Sequence, residues 1–256
     1  MTTSPFTATD RLDGRVAVIA GGTGAIGLAS AQRLALLGAR CVLLHHRADT
    51  SGPNALAAAL PGAGHSAHFA DLLSSASLQA AAGHIGQAHG AVHILINSAG
   101  RTQAVPAADL DGLTDDLMDE MLRLNLRAAF ATVRTFAPLL KASGDGLIVN
   151  VSSIAAFTGT GSNLAYVAAK AGLDVISDAL ARALAPQVRV LTVSPGVVDT
   201  GFVPGRGADF NTRAAATIPL RRVGTADDVA AAIQACATTL RYATGTKIVI
   251  DGGRHL

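Results

Sequence analysis

The chain has 256 residues, half of them hydrophobic, 15% charged, with a formal net charge of +2. That composition supplies a sizeable core and excludes a disordered chain, and so small a charge excludes a nucleic-acid footprint. No stretch of 18 uninterrupted apolar residues exists, which excludes a membrane-spanning helix.

The N-terminus, "MTTSPFTATDRLDGR", lacks the basic region and apolar run of a signal peptide, and residues 1–12 read as a flexible lead-in. "RVAVIA" (Arg15–Ala20) reads as a strand. "AGGTGAIG" (Ala20–Gly27) then turns into the helix "AIGLASAQRLALLG", which Gly38 stops. Glycines in such a turn permit positive φ and let the backbone approach a pyrophosphate at the helix N-terminus. "CVLLH" (Cys41–His45) is the next strand, and "SAHFA" (Ser66–Ala70) a weaker one. "HILIN" (His93–Asn97), "LIVNVS" (Leu147–Ser152), "VRVLTVS" (Val188–Ser194) and "KIVI" (Lys247–Ile250) follow in the same style.

These runs are continuously apolar rather than alternating, the mark of strands covered on both faces of a parallel sheet. Helical patterns separate nearly every pair. The expected architecture is α/β: a Rossmann-like, doubly wound parallel sheet of about seven strands with helices on both faces, one domain over residues 1–256. Pro195–Leu220 shows no periodicity and reads as a long substrate-binding loop. Cys41 and Cys236 give neither a metal spacing nor a disulfide framework, so buried free thiols in a reducing, cytoplasmic compartment are expected. His84, His89 and His93 span a helix end and a strand start and read as surface residues rather than metal ligands, and His65 and His68 as structural.

The end of the second strand bears on the cofactor. An acidic residue there would bond the adenosine ribose hydroxyls of NAD. The sequence is instead "LLHHRADT", with no acid before Asp49. His46 and Arg47 would attract a 2′-phosphate that a carboxylate would repel, which favours NADP(H) over NAD(H). A solvated basic strand end is the alternative.

In "SNLAYVAAKAGLDV" (Ser162–Val175), Tyr166 and Lys170 are four apart and project from one helix face. An ammonium about 5 Å from a phenol oxygen attracts the phenolate by roughly 3 kcal/mol at an effective dielectric of 20. That brings the phenol into range for acid–base work. Thirteen residues upstream of the tyrosine, "VNVSS" ends a strand with Ser152 and Ser153 at the sheet edge where ligands bind. "LNLRAAF" places Asn125 inside an apolar helix, where an amide needs a task or a partner. "INSAG" (Ile96–Gly100) and "SPG" (Ser194–Gly196) close two further strands with small residues.

Taken together, these motifs resemble the short-chain dehydrogenase/reductase family from about Arg15 to Leu256. "AGGTGAIG" is similar to its T-G-x-x-x-[GA]-x-G loop, with Ala20 for the Thr and Ala25 at the middle glycine. "YVAAK" matches its Tyr-x-x-x-Lys, Ser153 its catalytic Ser, and Asn125 its Asn. "NSAG" matches Asn-Asn-Ala-Gly, with Ser98 for the second Asn. "IPLRRVGTADDVA" and "TGTKIVIDGG" resemble its C-terminal segments, and "HHR" the His-x-His-Arg of pteridine-reductase-like members. The resemblance implies that Tyr166 exchanges a proton with a carbonyl or alcohol oxygen that Ser153 holds. It implies that Lys170 assists Tyr166 and bonds the nicotinamide ribose, and that Asn125 fixes a relay water. The implied cofactor contacts are Gly21, Thr23, Ala25, Ile26, Gly27, His46, Arg47, Asp71, Leu72, Asn97, Ala99, Gly100, Tyr166, Lys170, Pro195, Gly196, Val198 and Thr200. Asp71 would meet the adenine and Thr200 the nicotinamide amide. Asp71 also reads as a helix N-cap.

The leading expectation is a reductase or dehydrogenase exchanging a hydride between NADP(H) and a small carbonyl or secondary alcohol. The alternatives are a 3-oxoacyl-carrier-protein reductase and a catalytically silent cofactor-binding regulator. Carrier proteins are acidic, whereas "KASGDGLIVNVSS" offers only Lys141 and the next helix carries Asp174, Asp178 and a single Arg182. That disfavours docking and favours a free substrate. The resemblance, with a second stripe of Val167, Ala168, Ala171 and Val175 on the Tyr166 helix, implies a homotetramer, with a dimer second; a helix buried more deeply in its own domain is the alternative.

Overall fold

The computed structural model describes residues 10–204 and 209–256. Most of the expected flexible lead-in (residues 1–9) and residues 205–208 of the expected loop lie outside them. The elements are β1 (Val16–Ala20), α1 (Ala25–Leu36), β2 (Arg40–His45), α2 (Ser51–Ala58), β3 (Ser66–Phe69), α3 (Ser75–His89), β4 (Ile94–Asn97) and α4 (Asp115–Leu122), then α5 (Ala128–Ala142), β5 (Gly146–Val151), α6 (Ala155–Thr158), α7 (Leu164–Leu184), β6 (Val188–Pro195), α8 (Phe210–Thr217), α9 (Ala226–Ala237) and β7 (Thr246–Ile250). A π-helical turn, Arg123–Arg127, joins α4 to α5.

All seven strands pair in parallel, in the order β3-β2-β1-β4-β5-β6-β7. The order reverses between β1 and β4, where crossovers leave to opposite sides and a crevice opens at the strands' C-terminal ends. Alternate residues of the inner strands feed two cores. Ile19, Leu43, Ile96 and Val149 pack with Leu34 of α1 and Ile233 of α9. Val18, Leu44, Leu95 and Ile148 pack with Ile85 of α3, Phe136 of α5 and Leu184 of α7. Burial on both faces explains why the inner strands read as unbroken apolar runs. Cys41 and Cys236 are buried free thiols in the first core.

Helix ends follow local chemistry. Gly38, at φ +99°, stops α1. Ser74, Thr114 and Asn163 accept backbone N–H groups at the starts of α3, α4 and α7, and Thr225 with Asp228 forms a capping box on α9. Ser74 therefore holds the cap position considered for Asp71, whose carboxylate takes the Leu73 N–H instead. The Pro195–Leu220 loop contains α8, a two-turn helix whose composition carries no strong periodic signal. His93 is not simply a surface residue: its Nδ1 accepts the Val16 N–H, and His65 does the same for Cys41.

The glycine turn is shaped by contact. Gly21 has φ +76°, and a Cβ there would stand 2.7 Å from the Ala99 nitrogen. A Cβ on Gly27 would stand 2.3 Å from the Gly21 carbonyl oxygen, so α1 reaches the turn only because residue 27 has no side chain. Gly27→Ala is expected to lower stability by about 1–3 kcal/mol through backbone displacement. Urea unfolding checks this; an unchanged midpoint would show that the turn yields freely.

Candidate functional site

A crevice of about 1700 Å³ runs along the C-terminal edge of the sheet. Its walls collect one segment from the end of every strand, because parallel strands all point their C-termini to the same side. The structure brings to it Gly21, Thr23, Ala25 and Ile26 from the glycine turn, His46 and Arg47 after β2, and Asp71 and Leu72 after β3. Ala99 and Gly100, Ser153, Tyr166, Lys170, Pro195, Gly196, Val198 and Thr200 line it as well.

Three expected residues lie behind the wall. Gly27 packs the helix onto the turn, as above. Asn97 turns under the sheet: its Nδ2 donates to Asn150 Oδ1 at 2.8 Å, and Asn150 in turn donates to Ser177 Oγ at 2.8 Å. It is a strut between β4, β5 and α7. Asn125, expected to fix a water, has both amide hydrogens engaged, on the carbonyls of Arg101 (2.9 Å) and Met121 (3.0 Å), while its Oδ1 accepts the Arg101 N–H at 3.2 Å. The π-helical turn presents this amide, which clamps the chain leaving β4 and sits where a Cβ on Gly100 would fall, 2.8 Å from Oδ1.

Tyr166 and Lys170 descend from the N-terminal half of α7, a helix started by Asn163, whose Oδ1 accepts the Tyr166 N–H at 2.7 Å. Asn163 Nδ2 donates to the Gln103 carbonyl at 2.8 Å, and Ser162 bonds Thr102. The tyrosine is thereby fixed against the 101–105 loop by Thr102, Ser162 and Asn163, which the sequence reading assigned no task. Their signal was the polar "SN" ahead of the apolar helix. The Tyr166 ring lies 6.0 Å from that of Phe202, and Lys170 Nζ 5.7 Å from the Tyr166 centroid.

Lys170 is 4% exposed, and its ammonium donates to the Val151 carbonyl at 2.8 Å. Burial pushes its pKa down to about 8, against the opposing pull of Asp174. Asp174, counted from sequence on the outer face, is also buried, and burial raises its carboxyl pKa. Ser153 Oγ accepts the Ala155 N–H at 3.1 Å, which leaves its own hydrogen for the crevice. Ser152 turns away and contacts the Lys170 carbonyl at 3.4 Å. His46 and Arg47 are exposed at the far end, whereas His45 is buried beneath them, and burial pushes its ring pKa down.

Sequence reasoning also missed the wall made by Phe202, Arg254 and His255, far apart in sequence and carrying no motif. Among the described residues no group of His, Cys, Asp or Glu could hold a metal ion, and no helix is long and apolar enough to cross a membrane.

A doubly wound sheet with a glycine turn at its switch point, and a tyrosine and buried lysine one helical turn apart in the crevice, defines a class of dinucleotide-dependent oxidoreductases. The comparisons agree. A family model described as enoyl-(acyl carrier protein) reductase matches residues 21–255. The chain is 36% identical to a protein assigned by name to the granaticin polyketide synthase of Streptomyces violaceoruber as its ketoacyl reductase 2, over 97% of this chain and 99% of that one. It is 36% identical to D-threitol dehydrogenase of Mycolicibacterium smegmatis, over 95% and 94%. A crystal structure titled as a short-chain dehydrogenase/reductase, glucose/ribitol dehydrogenase, of Brucella melitensis superposes with a TM-score of 0.88 at 29% identity, over 95% and 98%. The chain belongs to the short-chain dehydrogenase/reductase family, oxidoreductases that use nicotinamide cofactors on carbonyl and alcohol substrates.

The buried ammonium has a thermodynamic signature. An unfolded lysine keeps its proton to about pH 10.4. Between about pH 8 and that value the unfolded chain binds more protons than the native one, so the Lys170 contribution to stability rises with pH across this window. Below pH 8 the charge is buried at a cost. Lys170→Met is therefore expected to stabilise the protein at pH 7 by about 1–2 kcal/mol, after subtracting a lost hydrogen bond. The advantage should shrink toward pH 10. Urea titrations at both pH values check it, and a variant less stable than wild type at pH 7 would refute it.

Proposed function

We propose that the protein is an NADP(H)-dependent carbonyl reductase, running in reverse as an alcohol dehydrogenase, with Tyr166 as its general acid and base. The observation that carries this reading is the pairing of Tyr166 with the buried, still protonated Lys170 inside the crevice.

The residues present fit the cofactor. Side chains at Gly21, Gly100 and Gly196 would collide with Ala99, Asn125 and Asp251, so a smooth backbone channel is kept along the crevice. At its adenosine end His46 and Arg47 offer cationic and hydrogen-bonding groups to a 2′-phosphate, and among the described residues neither buried ring nitrogen of His45 has a partner in hydrogen-bonding geometry. Asp71 and Leu72 stand where an adenine would lie, and Pro195, Gly196, Val198 and Thr200 beside the nicotinamide. When bound, the cofactor supplies the hydride. Ser153 donates its free hydroxyl hydrogen to the substrate carbonyl oxygen. Tyr166 gives its phenolic proton to the same oxygen as the alcohol forms. Lys170, protonated below about pH 8, stabilises the phenolate left behind and donates to the ribose. Asn125 acts by positioning the Gly100–Arg101 backbone.

A 3-oxoacyl substrate on a carrier protein is the second reading. Arg123, Arg127, Arg134 and Lys141 are exposed on one helical face, a basic stripe the segment-by-segment sequence reading did not assemble. The exposed Val175 and Phe130, on α7 and α5, support a homotetramer.

Tyr166→Phe is expected to lower turnover of an activated ketone by about two to four orders of magnitude while NADPH affinity stays within a few fold. NADP(H) should bind at least tenfold more tightly than NAD(H), a difference Arg47→Ala should largely remove. Stopped-flow turnover and fluorescence titration of both cofactors check this. Near-normal turnover in Tyr166→Phe would reject the mechanism. Equal cofactor affinities would reject the reading of the basic strand end, and cofactor binding without reduction of any ketone would favour the silent regulator.

A further inference from the structure

The two ends of the crevice differ in chemistry. Among the described lining residues the one carboxylate is Asp71, at the adenosine end. Beyond Tyr166 the walls are aromatic, from Phe202 and Phe210, and the basic groups there are Arg101, Arg254 and His255. Arg101 is neutralised by Glu120, its Nη1 lying 2.5 Å from Oε1. The other two come from the turn after β7, which bends back on Gly252 and Gly253 at φ +66° and +87°.

Asp251 holds that turn. Its side chain is 4% exposed, and its oxygens accept the N–H of Gly253 at 2.9 Å and of His255 at 2.8 Å. The His255 Nδ1 lies 2.7 Å from Oδ2. Burial works to raise the Asp251 pKa, but these donors bring it below the usual carboxylate value. An ionised carboxylate can only accept, so Nδ1 carries the hydrogen and the ring's orientation is set by this bond. The ring edge packs on Phe157, with centroids 5.8 Å apart and planes at 83°. Nε2 remains as the ring's other polar atom, and it donates to an anion in the imidazolium form. Arg254 Nη1 donates to Thr217 Oγ1 of α8 at 3.0 Å, a neutral partner that braces the guanidinium without cancelling its charge.

We propose that the substrate carries an anionic group, a carboxylate or its like, at some distance from the reacting carbonyl, and that Arg254 and His255 capture it. An oriented guanidinium and imidazole at the end of an aromatic slot are suited to a planar anion, and the slot offers a neutral substrate no comparable partner. The inference rests on the carbonyl-reductase reading and adds the substrate class to it.

A reach series tests it: ω-(4-acetylphenyl)alkanoates with zero to four methylenes between ring and carboxylate, each beside its neutral methyl ester, reduced with NADPH. For at least one length kcat/KM for the acid should exceed that for the ester at least tenfold. Arg254→Gln should lower that ratio about tenfold, and His255→Phe should lower it too. A merely structural role would reduce acid and ester together and leave the ratio alone. Ratios at or below one for every length, or a ratio unchanged in Arg254→Gln, overturn the proposal. If no member of the series is reduced, the carbonyl-reductase reading fails for these ketones, and calorimetric binding of the same pairs to the protein–NADPH complex decides the inference by itself. An acid-over-ester preference lost in Arg254→Gln supports it, and absence of any preference overturns it.

Discussion

The Lys170 ammonium donates to the Val151 carbonyl at 2.8 Å, a bond that ties α7 to the last residue of β5. A charge in that position is unfavourable by itself, and burial presses the lysine toward neutrality. It is kept charged at neutral pH by a strand-end carbonyl on one side and by Asp174, one helical turn further along the same face, on the other. Asp174 is steadied in turn by Lys247, whose Nζ lies 3.8 Å from its Oδ2 and 3.9 Å from Asp178. Charges of alternating sign thus run from the crevice to the surface beside β7. The chemistry proposed for Tyr166 needs this arrangement, since a neutral amine would do little for a phenolate.

The parallel sheet makes the arrangement possible. Its strands end together, so side chains from β1 to β6 and from the turn after β7 converge on one edge although they are spread over more than 200 residues. Burying polar groups between covered strands is costly unless they are paired, and several polar residues near this edge are tied to one another. Asn97, Asn150 and Ser177 form one thread, and Ser177 Oγ reaches the Leu173 carbonyl at 2.6 Å. Such bonds hold β4, β5 and α7 in register beneath the site, so the tyrosine and serine above them have little freedom to drift.

The crevice is therefore graded along its length. At one end basic and imidazole groups follow β2. In the middle, glycines and small residues give a backbone-lined channel. At the other end aromatic rings lead to the C-terminal turn. Each end is built by elements on opposite sides of the switch point, which lets cofactor preference and substrate preference change independently.

Much of this was readable in the sequence, for definite reasons. Burial on both faces leaves an unbroken apolar run in the five inner strands, and the half-exposed edge strands β3 and β7 were read from their shorter runs; glycine stops and polar caps set the helix ends. Tyr166, Lys170 and Ser153 were legible because helical periodicity and a strand end fix where such side chains point. What local pattern could not decide was direction and company. Asp174 looked like a surface carboxylate until packing placed it inside. For Asn97, only the sheet register showed that its amide also bonds Asn150. Asn125 stood out as an amide in an apolar helix, but one of its partners, the Arg101 backbone, lies across a loop. Arg254 and His255 carry no motif at all, and they meet Phe157 and Thr217 only because β7 joins the edge of the sheet beside β6. The sequence determined which elements form and which residues have chemistry to offer; the tertiary structure decided which of them face the same space, because strand order and crossover direction bring distant segments together in a way no local pattern encodes.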